Sequence, residues 1–343
     1  MNAQQVLRPG LATACGSLPH TDVPAATELL LGTVGDLPAV PSLPRRHAAE
    51  GMLGQAALGL RGATVTAAGG LEVADPDSFP ADGEGVGDDL PTDAFGAALG
   101  FLDELAKRRW TGPVKLPCTG PVTLGAALVS AGVAPRRAFP AAEAAVRRRA
   151  RALVAATRDR LPDASLVVVF DEPSLGRITL GDGPLSVEEA VDLVSSALAA
   201  VEAVAVTGLH CCDVADWGAV LRTGPELLSL PVDIASTLRA ADLGPFLERG
   251  GWVAWGAVPT DGPIGPVDGG GTVRLWRHLA ARWHALADGG VDPVLLRRRA
   301  LVTPACGLAR HDVAQATLAL RLTASLGDRI AAGTVDDARR VRP

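Results

Sequence analysis

The chain has 343 residues, of which 48% are hydrophobic and 20% charged, with a formal net charge of -6. This composition can bury a sizeable core, and the negative charge argues against a nucleic acid or an anionic membrane as partner, because both require a basic surface. No apolar run reaches the roughly 18 residues of a membrane span and the first residues do not resemble a secretion signal, so we expect a cytoplasmic protein.

Eight short apolar runs predict β-strands. In chain order they are 11–15, 63–67, 113–117, 166–170, 203–210, 227–230, 252–256 and 300–304. Stretches with helical periodicity lie between them, at 92–110, 140–161, 186–201, 271–288 and 311–327. Strands and helices that alternate eight times predict an α/β fold with a single (β/α)8 TIM barrel spanning residues 1–343.

Four stretches need a separate interpretation. Residues 1–10 and 332–343 are expected to be frayed tails. The basic run 146–161 is interpreted as the solvated face of a helix. The acidic, glycine- and proline-rich insert 74–92 has no periodicity, and its position after the second strand would suit a mobile lid over the end of a barrel.

Chemically active side chains follow the ends of most predicted strands. They are Cys15, Ser17, Cys118, Asp171, Glu172, His210, Cys212, Asp233 and Cys306. The carboxyl ends of parallel barrel strands converge on the face that carries active sites, so distant residues can meet there. The odd number of cysteines, five, makes a disulfide framework a poor explanation and favours metal or thiol chemistry.

Two of these residues have a spacing suited to a metal ion. His210 and Cys212 are two positions apart on an extended chain, so both point to the same side, and Cys306 can supply a second thiolate. Nitrogen and sulfur ligands in this combination favour Zn²⁺. For the H-x-C motif alone, a packed histidine beside small buried cysteines is the alternative, and the barrel arrangement favours the metal.

Five ordered motifs carry a resemblance to a known family. They are GSLP at 16–19, GPVT at 120–123, DEP at 171–173, HCC at 210–212 and PACGL at 304–308. The chain resembles the C-terminal catalytic barrel of cobalamin-independent methionine synthase, and more closely the short single-domain relatives of that enzyme. The resemblance implies a zinc-dependent methyltransferase that moves a methyl group onto the thiol of homocysteine to give methionine, with methyltetrahydrofolate or a methylated corrinoid protein as donor.

The resemblance also implies roles for individual residues. His210, Cys212 and Cys306 match three zinc ligands. Ser17 matches the loop that grips the amino acid, and Asp171 matches the acid that holds its ammonium group. Glu172 is a further candidate for substrate contact, although Glu172 and Pro173 are better explained as shaping the turn after the strand. A carboxylate after a strand is explained equally well as a helix cap.

Three departures from the family pattern leave other functions open. Pro231 stands where the family has a fourth zinc ligand, a glutamate, so Asp233, two residues on, becomes the candidate. Asp261 is the candidate for the general acid that a histidine supplies in the family, and Glu50 is a loose match to a substrate-binding glutamate. A zinc thiol alkyltransferase of the coenzyme-M type and a non-catalytic homologue that binds a small ligand remain alternatives, whereas the decarboxylase relatives need no zinc and leave the thiols unexplained.

Overall fold

The computed structural model describes residues 3–265 and 271–333. Its strands are β1 (Ala63–Val65), β2 (Leu71–Val73), β3 (Val114–Thr119), β4 (Leu166–Asp171), β5 (Val206–His210), β6 (Leu227–Pro231), β7 (Trp252–Val258) and β8 (Ala300–Pro304). The last six form one parallel sheet in chain order, curled into a half-barrel. The six strands predicted from residue 113 onward are therefore confirmed, with small shifts at their ends.

Two extended segments flank the edges of this sheet. In segment 11–15 the Thr13 amide donates to the carbonyl of Val302 on β8 at 3.0 Å, and in segment 39–42 the Val40 amide donates to the carbonyl of Lys115 on β3 at 2.8 Å. The two stretches of chain meet where the Leu18 amide donates to the Ser42 carbonyl at 3.0 Å. Their β-bridges are isolated, so the predicted first strand is present only as an extended segment.

The predicted second strand is wrong. Its residues form β1, which pairs with β2 in a separate antiparallel hairpin whose turn contains Gly69 at φ +80°. The position beside β3 belongs to segment 39–42, which follows Pro38 and contains Pro41. Proline cannot donate to a ladder, so this segment lacks the sequence signature of a strand and escaped prediction.

The described residues also form helices, most of which pack outside the sheet. They are α1 (Ala3–Val6), α2 (Val23–Val34), α3 (Met52–Ala57), α4 (Thr92–Lys107), α5 (Pro121–Ser130), α6 (Pro135–Arg160), α7 (Leu175–Thr179), α8 (Val187–Ala199), α9 (Trp217–Arg222), α10 (Ala240–Glu248), α11 (Gly271–Asp288), α12 (Pro293–Arg298) and α13 (Val313–Ala332). Local capping sets several of their starts: Ser186 and Glu189 form a capping box on α8, and Asp312 accepts from Gln315 N at the start of α13.

The basic run in α6 does more than face solvent. Arg148 donates to the carbonyl of Gly83 at 2.9 Å, and the buried Arg149 donates to the carbonyls of Asp89 and Leu58, both at 2.7 Å. The bonds to Gly83 and Asp89 hold the acidic insert against α6, and Phe79 of the insert is buried. The interpretation of 146–161 as a purely solvated face is therefore wrong, and the insert packs beside a helix.

The ends of the chain differ from the expected tails in one respect. Residues 3–6 form α1, and Ala3 and Leu7 are buried in an apolar cluster with Val167 of β4 and Val206 of β5. The expected C-terminal tail lies, beyond Gly333, outside the described residues. Among the described helices, none is both long and apolar enough to cross a membrane.

Candidate metal centre and substrate pocket

Side-chain alternation along the strands decides which residues reach the pocket. Val167 and Val169 on β4 point into an apolar cluster inside the curl of the sheet, so Asp171, the next residue of that row, emerges at its end. On β5, Val206 belongs to the same cluster and His210 ends its row. Both side chains therefore lie at the carboxyl-terminal rim of the sheet, on its inner side.

Three predicted metal ligands come together at this rim. His210 ends β5, Cys212 follows two residues later, and Cys306 lies two residues beyond the end of β8. Their ligand atoms all lie within 4.8 Å of one another. Since β5 and β8 are not neighbours in the sheet, the curl of the sheet is what brings the histidine and the distant cysteine together.

The imidazole of His210 is oriented by the neighbouring strand. Its Nδ1 atom lies 2.9 Å from Ser229 Oγ, and the two residues are register partners on β5 and β6. A proton on Nδ1 leaves a lone pair on Nε2, which is buried and has no hydrogen-bond partner among the described residues. A ring held at one nitrogen with the other free is the arrangement found in metal-ligating histidines.

The sulfur atoms of Cys212 and Cys306 influence each other's ionisation. The interaction with Cys212, together with the nearby His210 ring, lowers the pKa of Cys306. The same pairing raises the pKa of Cys212. A cation that binds both sulfurs would displace the thiol protons, because the thiolate is the form that binds metal.

This donor set fits Zn²⁺. Two sulfurs and one imidazole nitrogen are ligands that zinc prefers, and three protein ligands leave a coordination position for substrate. Tetrahedral zinc with Zn–S bonds of about 2.3 Å places two sulfur ligands roughly 3.8 Å apart, which is compatible with the observed limit of 4.8 Å. The orphaned Nε2 atom of His210 supports the same assignment.

Asp233 does not join this group, and its prediction as a metal ligand is wrong. It adopts helical backbone angles, φ -63° and ψ -39°, at the start of the 3-10 helix Ile234–Thr237. Its exposed carboxylate pairs with His278 Nε2 at 2.8 Å. The two-residue alternation that guided the prediction ends with the strand at Pro231, so Asp233 no longer shares the direction of that residue.

The metal-ligand group opens into a pocket of about 340 Å³. The candidate substrate contacts Ser17 and Asp171 line it, together with Cys15, Cys118 and an apolar wall that includes Met52, Phe95 and Pro117. Burial raises the pKa of Asp171 to about 6, against the opposing influence of His210 and Lys115. The Oδ1 atom of Asp171 is buried and has no hydrogen-bond partner among the described residues, so it is available to a ligand.

Ser17 is held against the loop that carries Cys306. The Leu308 amide donates to the Ser17 carbonyl at 2.9 Å. Gly307 packs so closely that a Cβ atom there would overlap Ser17 Oγ. A side chain after Cys306 would force the Ser17 hydroxyl to move, and the contact joins two distant parts of the chain at the pocket.

Glu172 has a structural task, and its prediction as a substrate contact is wrong. Its side chain is fully buried and accepts hydrogen bonds from Val122 N at 2.8 Å and from Thr123 N and Oγ1 at 2.7 and 2.6 Å. It therefore caps the start of α5, the helix that follows the neighbouring strand. Burial outweighs these bonds and raises its pKa to about 7.

The remaining acidic candidates also lie outside the pocket. Asp261 is exposed in the loop after β7 and is not among the described pocket-lining residues, so the structure gives no support to its predicted role as a catalytic acid. Glu50 is buried and paired with Arg46, and it accepts from the amides of Leu43 and Ala97, which makes it a structural group.

Sequence reasoning missed two basic residues near the pocket. Lys115 is buried on β3, and its Nζ atom donates to the carbonyls of Ala14 at 2.8 Å and Cys15 at 3.1 Å. Arg310 lines the pocket four residues after Cys306. A lysine inside the apolar run 113–117 was an available signal, since lysine is almost never fully buried without partners.

Comparison with known proteins supports the fold. No protein-family model matches the chain, and no curated protein matches it. A methyltransferase from Methanosarcina mazei is 18% identical with a TM-score of 0.57, over 92% of this chain and 87% of that one. A B12-independent methionine synthase from Shewanella sp. W3-18-1, solved in complex with selenomethionine, is 13% identical with a TM-score of 0.61, over 94% of this chain and 98% of that one. The motif resemblance is thus matched by a shared fold.

Proposed function

We propose that this protein is a zinc-dependent methyltransferase that methylates the thiol of homocysteine to give methionine. The observation that carries the proposal is the convergence of His210, Cys212 and Cys306 at the pocket that Asp171 also lines. In the reaction a sulfur–methyl bond forms, the bond between methyl group and donor breaks, and the thiol proton is lost. The extended segments 11–15 and 39–42 support a full eight-membered barrel in which they occupy the first two strand positions.

The proposal assigns roles to the metal-ligand group, to its neighbour Ser229, to Asp171 and to the apolar wall. His210, Cys212 and Cys306 hold the zinc, and Ser229 fixes the imidazole through Nδ1. When bound, Zn²⁺ would lower the pKa of a coordinated substrate thiol enough to keep it ionised at neutral pH. Asp171 accepts a hydrogen bond from the substrate ammonium group at its free Oδ1 atom, and the apolar wall excludes water from the reacting sulfur.

The choice of methyl donor follows from the acids that are present. Asp171 is the one carboxylate among the described pocket-lining residues, and the proposal assigns it to the substrate ammonium. This leaves no second carboxylate there to protonate a leaving group. Methyltetrahydrofolate depends on such assistance more than a methylated corrinoid does, so we expect the corrinoid to be at least as effective a donor.

Zinc analysis and methyl transfer test the proposal together. The purified wild-type protein should contain close to one zinc per chain and form methionine from homocysteine with methylcobalamin or methyltetrahydrofolate. Cys306→Ala should lose both properties, whereas Cys211→Ala should retain them, because Cys211 is buried outside the ligand group with its thiol directed at the Asp213 carbonyl. Full zinc retention in Cys306→Ala, or no transfer from either donor, would contradict the proposal.

A further inference from the structure

The pocket is lined by a carboxylate and a guanidinium group that could each bind a charged group of a ligand. Among its described lining residues, Asp171 is the only carboxylate and Arg310 the only arginine or lysine. The Asp171 Oδ1 atom is buried without a partner, and the exposed Arg310 guanidinium makes no hydrogen bond or ion pair within the described part of the chain. An unpaired acceptor on the pocket wall and an unpaired planar donor at its mouth are complementary to a zwitterion.

The backbone around Arg310 is anchored on both sides. On one side, the Leu308 amide donates to the Ser17 carbonyl at 2.9 Å. On the other, His311 Nε2 lies 3.1 Å from the Thr260 carbonyl, in the loop after β7. The arginine therefore projects from a short stretch that is fixed beside Cys306, which reduces the cost of ordering it around a ligand.

We infer that Arg310 binds the carboxylate of an α-amino-acid thiol whose ammonium group contacts Asp171 and whose sulfur lies at the His210, Cys212 and Cys306 group. This inference rests on the proposed function and adds a specificity residue to it. The guanidinium can donate two parallel hydrogen bonds to a carboxylate, a geometry that lysine cannot reproduce. A thiol that carries an anion but no ammonium would leave Asp171 Oδ1 without its partner and bind less well.

Four thiols that differ by one charged group at a time can test this inference on zinc-loaded protein. They are L-homocysteine, 4-mercaptobutyrate without the ammonium, 3-aminopropane-1-thiol without the carboxylate, and propane-1-thiol with neither. Calorimetry would give the dissociation constant of each for the wild type and for Arg310→Gln and Arg310→Lys. Arg298→Gln is the matched control, because Arg298 is exposed at the end of α12, at the opposite end of β8 from the pocket.

Arg310→Gln should weaken binding of homocysteine and 4-mercaptobutyrate by roughly 10- to 100-fold, the range for hydrogen bonds to a charged group. It should leave 3-aminopropane-1-thiol and propane-1-thiol unchanged, and Arg310→Lys should give an intermediate loss. Equal effects on all four thiols, or no effect on homocysteine, would overturn the role of Arg310 while thiol binding itself stands. If no thiol binds the zinc-loaded wild type, both the inference and the proposed function are wrong.

Discussion

The ends of β5 and β6 carry candidate residues at the same spacing, but only the residue that follows β5 reaches the metal-ligand group. His210 and Cys212 lie two residues apart across the end of β5, and Pro231 and Asp233 lie two apart across the end of β6. One further ladder bond follows each strand, from the Cys211 amide to the Ser229 carbonyl after β5 and from the Val232 amide to the Gly256 carbonyl after β6. Beyond that bond, Cys212 reaches the metal-ligand group. After β6 the chain enters a 3-10 helix and Asp233 turns outward. Spacing places side chains reliably only while the strand geometry continues.

Zinc affinity should separate the two strand ends most strongly. Cys212→Ser removes a sulfur ligand, so we expect at least a 100-fold loss, beyond the 10- to 100-fold typical of groups that only orient a ligand. Asp233→Asn should change zinc affinity by no more than about twofold, the size of an ordinary surface substitution. Competition with a chromogenic chelator measures both. Comparable losses in the two variants would show that the ends of β5 and β6 both serve the metal.

Asp171 and Glu172 extend the comparison to adjacent carboxylates, one at the pocket and one in the core. The folded-state pKa of Glu172 is raised to about 7, so the folded protein retains a proton that the unfolded chain releases above about pH 4.5. Stability should therefore fall as pH rises from 4.5 to 7. Glu172→Gln should remove up to roughly 3 kcal/mol of that fall. Urea unfolding of zinc-free protein at several pH values tests this, and identical slopes in both proteins would refute it.

Lys115 allows a comparison between the regular sheet and segment 11–15 at its edge. Its ammonium donates to two carbonyls of segment 11–15, which has only an isolated bridge to β8. Lys115→Met should lower the free energy of unfolding by about 2 kcal/mol and speed hydrogen exchange in that segment. Lys107→Met is the control, since Lys107 is exposed at the end of α4 and should cost less than about 0.5 kcal/mol. An equal, small effect of both changes would mean that Lys115 does not stabilise segment 11–15.

The smallest expected effect concerns the acidic insert. Arg148→Gln removes one hydrogen bond to the Gly83 carbonyl, so it should cost about 1 kcal/mol and increase hydrogen exchange within residues 80–86. Zinc affinity should not change, because no residue of the insert is among the described pocket-lining residues. A large change in zinc or thiol binding would instead show that the insert acts on the pocket.

The sequence predicted the parts of the fold that repeat a simple period. The six apolar strands and the helices predicted at 140–161, 186–201 and 271–288 follow directly from hydrophobic pattern. The rim that carries His210, Cys212 and Cys306 follows from parallel strand order. Segment 39–42 could not be recognised, because its prolines remove the ladder donors that mark a strand. The second strand was therefore predicted at 63–67, a stretch that forms one strand of a separate hairpin.

The site was predictable where strand geometry holds and unpredictable where a loop begins. Asp171 ends an inward row of β4, so its position in the pocket follows from alternation. Glu172 points the other way and reaches the start of α5, a helix that precedes it in the chain, which no local pattern reveals. Arg310 lies in a loop whose path depends on the tertiary contact between Ser17 and Gly307.

X-ray absorption spectroscopy of the zinc-loaded protein tests the central claim most directly. The account predicts a first shell with two sulfur atoms at about 2.3 Å and a nitrogen from one imidazole at about 2.0 Å, and a single sulfur atom in Cys306→Ala. A wild-type shell that contains only oxygen and nitrogen would contradict the assignment of His210, Cys212 and Cys306 as the metal ligands.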